Sequence, residues 1–94
     1  MSEYGTDWIA DTLAAAFASL FGAIDAGDTD AMAKADDEVE YHAKSAVRVL
    51  KAHSHGGHSL IMRLTDELSE AQVDEEAAAA LVSDLRRVLR KASG

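Results

Sequence analysis

Four histidines are the groups in this sequence whose type and spacing come nearest to a reactive site. His42 stands alone, while His53, His55 and His58 crowd into KAHSHGGHSL, residues 51–60, around Gly56 and Gly57. Three imidazoles folded inward by a glycine turn could take a divalent metal such as zinc, which a catalytic site holds with three protein ligands and one open position. The rest of the pattern does not support that chemistry. All three ligands would come from one short turn, the H-E-x-x-H motif is absent, and so is the repeated Glu-x-x-His of di-iron bundles. Glu38 and His42 share a helical spacing of four, but His42 and His53 are eleven residues apart, roughly 16 Å along a helix at 1.5 Å per residue. A small metal-binding protein using His53, His55 and His58 is therefore the alternative reading, and no metal or cofactor is expected. Buried neutral histidines at positions 42 and 53 would instead give a proton switch, loosening the packing as pH falls toward 6.5.

Carboxylates form the second concentration. DAGDTDAMAKADDEVE, residues 25–40, holds Asp25, Asp28, Asp30, Asp36, Asp37, Glu38 and Glu40. A calcium loop begun at Asp28 fails, because Met32 falls on a ligand position and Ala33 where glycine is required. The expectation is an acidic helix face, and from it Asp28, Asp30, Asp36, Asp37, Glu38 and Glu40 are taken as partner-binding candidates. No nucleophile stands beside a base, no glycine-rich phosphate loop occurs, and no enzymatic activity is expected.

The elements that position these groups follow from composition. The chain has 94 residues, no proline and no cysteine, which excludes disulfides and thiolate metal sites and suits one all-α domain. The start MSEYGTDW lacks a basic segment ahead of an apolar one, so a cytoplasmic protein is expected. Of the net charge of −8, residues 1–40 carry ten acids against Lys34 alone, net −9, and residues 41–94 carry seven acids and eight bases, net +1. That balance disfavours direct nucleic-acid or anionic-membrane binding and permits a basic protein partner.

Helical spacing predicts four helices, over approximately 7–26, 29–53, 59–67 and 70–91. The first is capped by Thr6 and stopped by Gly27, with Ile9, Leu13, Ala16, Phe17, Leu20 and Ile24 inward. Its segment Thr12–Ile24 has no charge on any face; thirteen residues are too few to span a bilayer, so a second apolar face of Trp8, Ala15, Phe21 and Gly22 is a candidate contact surface. The second helix carries a heptad seam, Met32, Ala35, Val39, His42, Ala46, Val49 and His53, with Ala43 and Leu50 beside it. Gly56–Gly57 ends it and Ser59 caps the third helix. Ser69 with Gln72 has capping-box spacing, and Leu68 with Val73 the staple spacing, at the start of the fourth. That helix runs through Val73, Ala77, Leu81, Leu85 and Val88, with Val82 and Leu89 beside them, to the bases Arg86, Arg87, Arg90 and Lys91. The bases suit the helix dipole or meet the acids of another copy.

The expected architecture is a compact three- to four-helix bundle built on an antiparallel hairpin of the first two helices. The leading functional expectation is a non-enzymatic acidic interaction module. Its most specific form is an inhibitor occupying the basic surface of a nucleic-acid-handling protein, as an anti-CRISPR-like phage defence antagonist does. The remaining alternative is a structural homo-oligomer, a homodimer being its simplest form.

Overall fold

Alanine favours helix and the chain has no proline to break it, and helices are the only regular elements among the described residues. The computed structural model describes residues 7–53 and 58–93. Its elements are α1 (Asp7–Ala26), α2 (Thr29–His53), α3 (His58–Asp66), α4 (Leu68–Ala71) and α5 (Glu75–Ser93). At 1.5 Å per residue, α2 alone is about 37 Å long, which nearly accounts for the longest extent of 41 Å; the shortest, 19 Å, matches two helix layers. The radius of gyration of 13.1 Å is close to the roughly 12 Å expected of a compact chain of this length. α1 is the central element, packed most extensively on α2 and next on α5, while α3 lies against α2 and α5.

The α1–α2 connection is only Gly27 and Asp28. Gly27 takes φ +68°; its N–H donates to the Ile24 carbonyl at 3.1 Å and the Asp28 N–H to the Ala23 carbonyl at 3.1 Å. Those two bonds are a Schellman closure, which satisfies carbonyls that a helix end leaves open. Asp28 then opens α2, its Oδ1 accepting from the Ala31 N–H at 3.1 Å while its carbonyl accepts from Met32. Conformation alone demands glycine at 27, because an added Cβ would meet nothing within 4 Å. Gly27→Ala is therefore expected to cost about 1–2 kcal/mol, the penalty of a left-handed L-residue. Gly22 sits inside α1 with equally open surroundings, so Gly22→Ala should instead stabilise by about 0.5–1 kcal/mol. Urea denaturation of the two variants checks the opposite signs.

The expected fourth helix is two elements. α4 ends at Ala71 and α5 begins only after Asp74. The Ser69–Gln72 capping box is not formed: the residue capping α4 is Glu67, without a side-chain bond. Asp74 supplies the cap instead, its Oδ1 accepting from Glu76 N–H at 3.0 Å and Ala77 N–H at 3.5 Å. A carboxylate at a helix start satisfies open N–H groups and also meets the positive end of the dipole. Val73, placed in a staple by its spacing, is 77 % exposed. α3 begins at His58, so Ser59 lies within its first turn rather than before it. The Thr6 cap and the Gly56–Gly57 stop lie outside the described residues.

The core is assembled from all five helices. Ile9 and Leu13 of α1, Val39 and Leu50 of α2, Leu64 of α3, and Leu81, Leu85 and Leu89 of α5 are its largest fully buried side chains, and α4 adds Ala71. Ile24, expected inward, is exposed in the last turn of α1. No polar residue is buried as a whole among the described residues, although the Gln72 Nε2 is enclosed. On α2 the buried line is Ala35, Val39, Ala43, Ala46 and Leu50, with Met32, His42 and Val49 half-buried. The expected seam is thus rotated by roughly 30°, at 100° per residue, toward Ala43 and Leu50. The reason is tertiary: α2 must face α3 as well as α1. His42 therefore sits at the seam's margin and not in the core.

Candidate interaction surface

Because α2 buries one side against α1 and α3, the opposite side is left as an outward ridge. Asp30, Lys34, Asp37, Tyr41, Lys44, Arg48 and Lys51 recur at alternating steps of four and three and are all exposed. That spacing places them along one face of a helix. Glu38 and Glu40 flank the ridge and are exposed, and Asp36 is half-buried. From residue 30 to 40 there are five acids against Lys34, net −4; from 41 to 53 the charged residues are Lys44, Arg48 and Lys51, net +3. Among the described residues no ion pair engages any of these side chains. Tyr41 marks the change of sign, 68 % exposed, its ring edge-on to His42 at 5.3 Å.

Of the six acids singled out by sequence, five lie on or beside this ridge. Asp28 is spent on the helix cap described above. The apolar set divides in a similar way. Trp8, Ala15 and Gly22, seven apart, share an exposed face of α1. Phe21 does not belong to it: half-buried, it stacks on Phe17 at 6.2 Å and lines a 210 Å³ groove with Glu75, Ala79 and Val82 of α5. The neighbours on the exposed face are Asp11, Ala18, Ser19 and Asp25, so Trp8, 54 % exposed, is its one bulky apolar member. The charge-free segment of α1 therefore solves its third face with Ala, Ser and Gly, which need no partner to be tolerated in water. The segment Trp8–Ala26, nineteen residues with mean hydropathy 1.4, has the length and composition of a membrane span, a property that the thirteen-residue count did not register. Its other faces form the centre of the helical core.

Two bases of α5 are paired with acids. Arg86 donates to Asp11 of α1 at 2.5 Å and Arg87 to Asp84 at 2.7 Å. Asp84 also receives Arg63 of α3 at 2.5 Å, and Arg63 lies 3.6 Å from Glu67. The Arg63 guanidinium is held above its ordinary value, chiefly by the hydrogen bond to Asp84. Its contribution is present below the unfolded-state value and fades only as pH rises through the raised one, so it persists across neutral pH. Arg86–Asp11 ties α5 to α1, and Arg63–Asp84 ties it to α3. They were not legible in sequence, since Asp11 and Arg86 stand 75 positions apart.

Between α2 and the α3–α4 segment lies a groove of 330 Å³, floored by Ala43, Val47, Leu64 and Leu68 and rimmed by Glu40, Lys44 and Thr65. Its wall is apolar, without convergent groups for catalysis. His58 is exposed at the start of α3. The His53 side chain and the whole of His55 lie outside the described residues, and with them the proposed metal cluster. Among the described residues no three His, Asp or Glu side chains are grouped to hold a metal ion. Comparison with protein-family models, curated proteins and solved structures gives no match.

Proposed function

We propose that this protein is a non-enzymatic interaction module that acts in the cytoplasm, binding a basic partner through the acidic half of α2. The observation that carries this reading is the exposed, unpaired set of Asp30, Asp37, Glu38 and Glu40, with Asp36 at its edge. Carboxylates presented on a rigid helix offer a cationic groove the charge it would otherwise take from phosphates, and they speed encounter with it. The most specific version is an inhibitor that covers the basic surface of a nucleic-acid-handling protein, in the manner of an anti-CRISPR-like antagonist. The α1–α2 pair, joined by two residues, is read as the antiparallel hairpin that holds this face outward.

The test is capture of partners from the source cell by the immobilised full chain. Basic proteins should be retained at about 50 mM salt and released at about 500 mM, where the screening length falls from roughly 14 Å to 4 Å. A variant carrying Asp30→Asn, Asp37→Asn, Glu38→Gln and Glu40→Gln should lose them while keeping its helicity. Equal capture by that variant would remove the reading.

A further inference from the structure

The acidic half of α2 has a complement on the same helix. The ridge from Asp30 to Lys51 is about 31 Å long at 1.5 Å per residue, negative before Tyr41 and positive after it, with neither half paired among the described residues. Laid parallel to a second copy in register, acids would face acids and bases would face bases. Laid antiparallel, each acidic half meets the other copy's basic half, and a two-fold axis passes near Tyr41. We propose that the ridge of α2 is a self-complementary surface whose occupant is the α2 ridge of a second copy, antiparallel, in a weak homodimer.

Charge complementarity chooses the occupant and the direction together. In an isologous contact every pairing occurs twice, so Asp37 and Glu38 each meet the Lys44–Arg48 region of the other copy, and Asp30 meets the Lys51 end. Lys34, the one base on the acidic half, falls opposite Arg48 of the other copy, a like-charge contact that weakens the dimer while the acid–base pairs around it set its direction. The two exposed Tyr41 rings come together at the axis and supply the apolar centre that an otherwise charged strip lacks. The area decides the strength. One helix face of this length and about 10 Å width covers a few hundred Å² per copy, below the roughly 800 Å² per partner of a stable complex. The dimer therefore forms at high protein concentration and low salt, and it hides the same acids that the proposed basic partner would use.

Sedimentation equilibrium of the full chain, from about 10 μM to 1 mM at about 50 and 500 mM salt, tests the proposal. Dimer is expected at low salt and monomer at high salt. Lys44→Glu/Arg48→Glu/Lys51→Glu and Asp30→Lys/Asp37→Lys/Glu40→Lys should each weaken self-association by roughly tenfold or more, while an equimolar mixture of the two regains a dimer. Orientation is read from single thiols, since the chain has no cysteine. Tyr41→Cys should oxidise to a linked dimer and Ala33→Cys, about 24 Å from its counterpart at 1.5 Å per residue, should not. A monomer at 1 mM and low salt, a dimer undiminished in either reversed variant, failure of the mixture to associate, or linkage through position 33 would each overturn it. The base-reversed variant keeps every acid, so its binding to a basic partner reports on the partner reading separately from the dimer.

Discussion

Leu13→Ala is expected to lower the unfolding free energy by about 3–4 kcal/mol, within the range of buried leucine truncations that leave a cavity. Leu13 is fully buried on α1, the helix packed on both α2 and α5, so the void opens in the centre of the core. Neighbours held from both sides cannot close over it easily. Against a total stability of about 5–15 kcal/mol for a domain, that loss is large. At roughly 4–8 °C per kcal/mol for a chain of this size, the midpoint should fall by about 12–30 °C. Helix loss followed by circular dichroism in urea measures it, with a lowered midpoint and an unchanged slope as the expected form. A loss under about 1 kcal/mol would mean that α1 is not central.

Ala46→Leu is expected to cost about 2–3 kcal/mol by the opposite fault, overpacking. α1 brings Ala10, Ala16 and Ala23 to the core, and α2 brings Ala35, Ala43 and Ala46, with Ala46 fully buried. Small side chains on both helices let the axes come close, and three added carbons must then force them apart or leave their rotamers. A hydrophobic substitution that raised stability would show a void at this seam. Denaturant unfolding gives the free energy, and amide exchange along α1 and α2 locates the disturbance: protection should fall on both helices together.

Several features were readable from spacing because their causes are local. Gly27 stops α1 since only a positive φ closes the helix there, and Asp28 starts α2 since its carboxylate reaches the Ala31 N–H. Ile9, Leu13, Phe17 and Leu20 fall inward at helical period, as the buried set bears out. The acids of α2 were also legible, as was their crowding before residue 41. Their continuation into Lys44, Arg48 and Lys51 follows the same three-and-four period, but it emerges only once the buried side of α2 is known. Period alone defines a set of faces and does not say which one a neighbour covers. The same gap explains Phe21: a spacing of four sets it over Phe17, but only the fold brings α5 beside it.

By itself, then, the amino-acid order determined an all-α chain, the C-terminal end of α1, the start of α2 and the uneven distribution of charge. Each depends on backbone conformation, helix propensity or a count of side chains within a few residues. Tertiary structure decided which base meets which acid, Arg86 with Asp11 and Arg63 with Asp84, and so took Arg86 out of the unpaired outward-facing charge. It also decided that Asp74, not Ser69, begins the last helix, where a buried Ala71 and an exposed Val73 bracket the break. Finally, it rotated α2 so that α1 and α3 cover one side and a two-signed ridge faces outward. Packing against two neighbours at once is a long-range constraint, which no local window of sequence contains.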